Sequence, residues 1–247
     1  MIGYSKKLFQ DNNVVIITTD DYKPFHPKAN EIARKFPTKY SSIVEQDSAL
    51  WTNKVLHEAM KKKYNFIFEV TFRNERILST IQELKEQGFN VIIRGLAVPE
   101  LESLLSSYER YEKQVETRDW GRFFNPSNYN YIYKNVPNVI EKIEKGKYYD
   151  AIEIFKRGKD IKIPELIYAN YTKKYREQYL NSHVVLNQFN YCTAKEAMLK
   201  SRNIEIKDMP KIKERVKILE RAFYRRKLTE EELKAIRLLN DIVDNTV

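Results

Sequence analysis

The sequence predicts an α/β fold, a mostly parallel sheet flanked by helices, with a helical C-terminal extension. Three observations carry this. Val14-Val15-Ile16-Ile17 is a run of β-branched apolar residues, which suits a strand buried on both faces. Comparable runs recur at 66–70 and at 91–93, the last continuing into Leu96-Ala97-Val98. Helix-length amphipathic segments separate these runs, the pattern of βαβ units.

The intervening segments justify their helices in turn. Trp51, Val55, Leu56, Ala59 and Met60 share one helical face. Ile77, Leu78, Ile81 and Leu84 form a second, stopped at Gly88. Leu101, Leu104, Leu105, Tyr108 and Tyr111 form a third, opened by Pro99. Ile132, Val136, Val139, Ile140 and Ile143 give a fourth stripe, which Pro137 is expected to interrupt. Residues 151–155 and 161–163, joined through Arg157-Gly158-Lys159-Asp160, read as a hairpin. After Pro164 the pattern turns helical. Tyr168, Tyr171, Tyr175 and Tyr179 fall on one packing face, and Thr193/Glu196 and Thr229/Glu232 have capping-box spacing. Ile212, Val216, Leu219 and Phe223, then Leu233, Ile236 and Leu239, are core stripes. The expected division is a core over 1–163 and a helical extension over 164–247.

Composition narrows the function. The 247 residues can bury a substantial core. No apolar run approaches the roughly 18 residues of a membrane span, so no membrane is expected as a partner. Met1-Ile2-Gly3-Tyr4-Ser5-Lys6-Lys7 has no apolar stretch behind it, unlike a signal peptide. Cys192 is the single cysteine, which fits a reducing cytoplasm. The net charge of +10 invites a nucleic-acid partner, but acids are interspersed throughout and no reader motif accompanies the charge. Nucleic acid is therefore not expected. His57 and His183 lack ligand-spaced companions, so no protein-bound metal site is expected.

The chemistry concentrates at strand ends. Asp20 and Asp21 follow the 14–18 strand at its carboxyl end, where open α/β sheets bind ligands. Either could cap the following turn; the spacing to His26 favours Asp20 as the working group, with His26 anchoring the loop. Glu69 ends the next strand in the same way. Phosphoryl transfer needs a base to orient an acceptor hydroxyl and cations to neutralise phosphate charge. Asp20 is the candidate base, and Arg110 and Arg122 are the candidate cations, with Arg118 competing for the second place. Arginine suits that task because its planar fork grips phosphate oxygens in pairs and stays charged.

At these residues the chain resembles the zeta toxin family of bacterial toxin–antitoxin systems. Thr19-Asp20-Asp21-Tyr22-Lys23-Pro24-Phe25-His26-Pro27 resembles its acid-to-His-Pro loop, and Phe68-Glu69-Val70-Thr71-Phe72-Arg73 its second strand tip. The segment from Ala97-Val98-Pro99 to Tyr108-Glu109-Arg110-Tyr111-Glu112 resembles its lid-side helix, followed by Gly121-Arg122 and Lys134-Asn135-Val136-Pro137. The resemblance implies a P-loop kinase-like fold and phosphorylation of a sugar hydroxyl of UDP-N-acetylglucosamine, with ATP and Mg2+ as cofactors. The implied partners are the nucleotide-sugar substrate and an antitoxin protein. Asp20 would be the base. Arg110 and Arg122 would bind the ATP phosphates, and Glu69, Thr71 and Arg73 the substrate.

Two departures stand out. No G-x-x-x-x-G-K-[ST] phosphate loop occurs in these residues, and residues 2–10 read as the remnant of the helix that would follow it. With the first strand absent, its two neighbours are expected to show unpaired edges and phosphoryl transfer to be impaired. A carboxylate expected on the helix before Glu69 is Asn53, unless a one-turn slip brings Glu58 to that place. Two rival readings follow: a catalytically dead remnant that still binds substrate or antitoxin, and a basic α/β module that binds nucleic acid.

Overall fold

The computed structural model describes residues 1–118, 120–158, 163–179, 190–204 and 206–245. In chain order its strands are β1 (Val15–Thr18), β2 (Phe66–Glu69), β3 (Ile92–Ala97), β4 (Ala151–Lys156) and β5 (Glu165–Tyr171). Its longer helices are α1 (Ala29–Lys35), α2 (Glu45–Lys61), α3 (Arg76–Glu86), α4 (Glu100–Arg118) and α5 (Pro126–Gly146). After β5 come α6 (Lys173–Tyr179), α7 (Ala194–Lys200), α8 (Met209–Phe223) and α9 (Glu230–Asn245). The β-branched runs and helical stripes of the sequence thus became the expected elements in the expected order. No helix of the described residues is long and apolar enough to cross a membrane.

The chain divides into two compact units. One contains Met1–Asp11, Thr71–Pro99 and Tyr131–Asn203; the other contains Asn12–Val70, Glu100–Asn130 and Ile204–Val247. The described strands form two sheets, one in each unit: β1 paired with β2, and β3-β4-β5. β1 and β2 run parallel, as do β3 and β4, whereas β4 and β5 are antiparallel. Among the described residues β1, β2, β3 and β5 are each hydrogen-bonded along one side, and β4 along both.

In the first unit the core lies between the three-stranded sheet and α5 and α7. Ile140, Ile143, Ile152, Ile154 and Ala197 are wholly buried there. Gly95 in β3 permits this packing: a Cβ would lie 2.9 Å from Met198 Cε, 3.0 Å from Ile154 Cδ1 and 3.2 Å from Ile140 Cδ1. The Thr193 cap forms as expected, accepting from Glu196 N at 3.1 Å.

Two expectations are corrected in this unit. Residues 165–171 are a strand, so Tyr168 and Tyr171 lie on β5 while Tyr175 and Tyr179 lie on α6. The buried β4 needs ladder partners along both edges, and β5 fills the second. Tyr171 is then fixed through its hydroxyl, which donates to Glu153 Oε1 at 3.0 Å. β5 also replaces the hairpin partner expected at 161–163; residues 161 and 162, like His183, lie outside the described residues. The second correction concerns Pro137, which does not interrupt α5. A helical proline deprives the carbonyl four residues earlier of its donor. Here that carbonyl, of Tyr133, accepts from Arg202 Nη1 at 2.7 Å, and the guanidinium stacks 4.0 Å from the Tyr133 ring centroid.

In the second unit α4 is the central helix. Leu101, Leu104, Leu105 and Tyr108 have no exposed surface, and Phe123 packs 5.7 Å from the Tyr108 ring and 5.1 Å from that of Tyr111. The helical extension ends in α8 and α9, which meet α4 through ion pairs. Arg215 grips Glu109 with both prongs, at 2.9 and 2.7 Å. Arg226 bridges Glu112 at 2.8 Å and the buried Glu232 at 2.7 Å. Thr229 and Glu232 close the expected capping box, with Thr229 N donating to Glu232 Oε2 at 2.8 Å.

The Pro137 arrangement is testable by urea unfolding. Arg202→Met should cost about 1–3 kcal/mol by removing the donor that meets the Tyr133 carbonyl. Adding Pro137→Ala restores an N–H at that level and should recover part of the loss. Equal loss in the double variant would contradict the carbonyl's role.

Candidate active site

The site is built at the carboxyl end of β1. Thr18, the last strand residue, is extended (φ −141°), and its hydroxyl accepts from Asp20 N at 3.3 Å, which starts a single helical turn, Thr19–Tyr22. Asp20 therefore stands just beyond the strand. Thr18 is in register with Glu69, so Glu69 lies at the same carboxyl end of the sheet, exposed to solvent.

Both carboxylate oxygens of Asp20 meet cations. Lys23 Nζ lies 3.0 Å from Oδ1, and Arg122 Nη1 donates to Oδ2. Lys23 is nearly out of water, its side chain only 7% exposed, against 33% for Asp20. Its ammonium also meets Glu45 Oε2 at 2.9 Å and donates to Ser41 Oγ at 2.5 Å. The loop beyond is pinned to the first turn of α2 in a second place. His26 accepts from Lys28 N at 3.1 Å through Nδ1, which puts its proton on Nε2, 3.2 Å from Asp47 Oδ2. His26 is thus an anchor of the loop.

Arg122 reaches Asp20 because its backbone is held on both sides. Trp120 packs against the cluster of Ala29, Ala33, Tyr40 and Val44, its ring 4.7 Å from that of Tyr40. Phe123 packs on α4, and Arg122 N donates to Gln114 Oε1 at 2.8 Å. Gly121 allows the close approach: a Cβ there would sit 2.6 Å from the Tyr111 carbonyl oxygen. Burial lowers the Arg122 pKa from its ordinary value, though a guanidinium starts so high that it stays charged.

The other expected residues are placed as follows. Arg110 is exposed on α4, one turn before Gln114 on the same helical edge, and no hydrogen bond or ion pair among the described residues joins it to the cluster. Asp21 and Arg118, the rivals of Asp20 and Arg122, are exposed. Thr71 and Arg73 are exposed and belong to the other unit, where the Arg73 carbonyl accepts from Asn135 Nδ2 at 2.6 Å. Asn53 follows Thr52, whose hydroxyl donates to Thr19 Oγ1 at 3.3 Å, so Asn53 stands at the level of the Asp20 turn. Glu58 lies more than a turn further along α2 and pairs with Lys62 at 3.9 Å. No group of three or more His, Cys, Asp or Glu among the described residues could hold a metal ion.

Sequence reasoning passed over Lys23, Glu45, Ser41 and Gln114. Lys23 carried a signal, since a lysine three residues after an acid on a helical turn lies on the same face. Glu45, Ser41 and Gln114 are tertiary partners and carried none.

The sequence model of the zeta toxin family matches residues 3–165, a segment that includes Asp20, Glu69, Thr71, Arg73, Arg110 and Arg122. The chain belongs to the zeta toxin family. The zeta toxins of Streptococcus agalactiae, Enterococcus hirae and Streptococcus pyogenes are 26%, 25% and 24% identical to it over 147 residues, 59% of this chain and 51% of theirs. The chain thus spans about half the length of the curated zeta toxins it matches. A solved chain from the PezAT chromosomal toxin–antitoxin system of Streptococcus pneumoniae superposes with a TM-score of 0.63 at 19% identity, covering 88% of this chain and 80% of that one. That likeness establishes the fold. The zeta toxin match ends before α8 and α9, so the ion pairs that tie those helices to α4 lie partly outside it.

Gly121→Ala tests how Arg122 is held in this member of the family. The added methyl must displace either the 120–123 segment or α4, at a cost of about 1–3 kcal/mol in urea unfolding. Unchanged stability would mean that the approach to Tyr111 is not tight.

Proposed function

We propose that this chain carries the site of an ATP-dependent kinase acting on a sugar hydroxyl of a nucleotide sugar of the UDP-N-acetylglucosamine type, as the toxin of a toxin–antitoxin pair in the cytoplasm. The observation that carries the reading is the Asp20 carboxylate at the end of β1, held between Lys23 and Arg122. Asp20 accepts the proton of the acceptor hydroxyl while the new O–P bond forms and the bond to the leaving diphosphate breaks. Arg122, joined by Arg110, neutralises charge on the phosphate oxygens, and its planar fork fits them. Glu69, Thr71 and Arg73 bind the nucleotide sugar. ATP with Mg2+ supplies the transferred phosphoryl group, and an antitoxin protein is the partner.

A second reading rests on one specific observation, that no G-x-x-x-x-G-K-[ST] motif lies within the 247 residues. Without its backbone amides and lysine, the grip on the β- and γ-phosphates is weak. On this reading the chain binds substrate or antitoxin with impaired transfer or none.

Phosphorus NMR with ATP, Mg2+ and UDP-N-acetylglucosamine distinguishes the two. The 247 residues alone should transfer little phosphate, and the same residues behind a strand and phosphate loop from a relative should transfer it readily. In that fusion Asp20→Asn should lower turnover by about 10²–10⁴-fold while ATP binding is kept. Undiminished turnover in the variant would remove Asp20 as the base. A fusion that binds the nucleotide sugar but never transfers phosphate would favour the binding reading.

A further inference from the structure

The two cations on Asp20 are not equivalent. Lys23 is almost fully buried, and its three ammonium protons are matched by Asp20 Oδ1, Glu45 Oε2 and Ser41 Oγ at 3.0, 2.9 and 2.5 Å. A buried ammonium so paired cannot leave without stranding charge. Arg122 is anchored through its backbone by Gln114, but its side chain is 35% exposed and reaches Asp20 through one nitrogen. Its remaining donors can turn to another anion without moving the chain. One cation is fixed and the other is exchangeable.

We propose that Lys23 is a positioning residue: it holds Asp20 in place by itself, so that an incoming polyphosphate draws Arg122 off Asp20 and uncovers the carboxylate that serves as base. This rests on the reading of Arg122 as a phosphate-binding residue. Phosphate and Asp20 then compete for one guanidinium, and Lys23 sets the strength of that competition by sharing the Asp20 charge. Removing Asp20's charge should favour phosphate. Removing Lys23 leaves the carboxylate to Arg122 alone and should disfavour phosphate. Removing both returns the net charge to that of the parent and leaves Arg122 free of its competitor.

The test is calorimetric titration of the 247-residue chain with inorganic tripolyphosphate, which needs no turnover. Asp20→Asn should bind roughly threefold to thirtyfold tighter than the parent, and Lys23→Met weaker by a similar factor. Lys23→Met/Asp20→Asn should bind at least as tightly as the parent. A lysine that merely supports the fold predicts a double variant as weak as Lys23→Met, and that result overturns the proposal. Unaltered binding in Lys23→Met overturns it as well. Should Lys23→Met not fold, Asp20→Asn alone decides, since binding no tighter than the parent excludes the competition. Binding undiminished by Arg122→Gln, or absent from the parent and Asp20→Asn alike, overturns the phosphate-binding reading of Arg122 and the proposal with it.

Discussion

An ionised group taken out of water costs several kcal/mol unless a partner and further hydrogen bonds meet it. In the unit that carries the site, this constraint explains where its buried charged residues stand. Lys23 has Asp20, Glu45 and Ser41; Glu112 and Glu232 share Arg226. Burial pushes the Glu232 carboxyl up, but hydrogen bonds from Thr229, Tyr111 and Arg226 outweigh it and hold the group below its ordinary value. The other unit obeys the same rule, with Asp150 accepting from Val91 N at 2.7 Å and pairing with Lys85. Each such cluster fixes the backbone segments that bring its members together.

Tyr111 shows how the constraint reaches the site. Its hydroxyl donates to Glu232 Oε1 at 2.8 Å, which ties α4 to the start of α9. Its ring meets Phe123 and Phe223, with centroids 5.1 and 6.2 Å away. Its carbonyl receives Gly121 at a distance no larger residue allows. One residue of α4 therefore touches both the C-terminal helices and the segment that delivers Arg122. The helical extension, outside the family match, supports the helix on which that segment rests.

The strands were legible because β-branched apolar runs favour the extended chain, as at Val15, Ile16 and Ile17, although of these three only Ile17 is fully buried. β5 was not, because tyrosines at 168, 171, 175 and 179 mimic helical spacing, and pairing to β4 decides the outcome. Pro137 reads locally as a break; Arg202, distant in sequence, supplies the Tyr133 carbonyl with a donor in place of the one the proline lacks. At the site, Asp20 and Arg122 are legible from position and residue type. That they touch depends on Gly121, Gln114 and Trp120, whose roles exist only in three dimensions. The place of Lys23 beside Asp20 is written in their spacing, but its burial follows from Glu45 and Ser41 arriving from another part of the chain.

The account turns on Asp20 and Arg122 being partners in the folded protein. A double-mutant cycle of Asp20→Asn and Arg122→Gln, followed by urea unfolding, measures that partnership directly. The structure predicts a coupling of about 1 kcal/mol, with the double variant losing less stability than the two single losses combined. Strictly additive losses would contradict it.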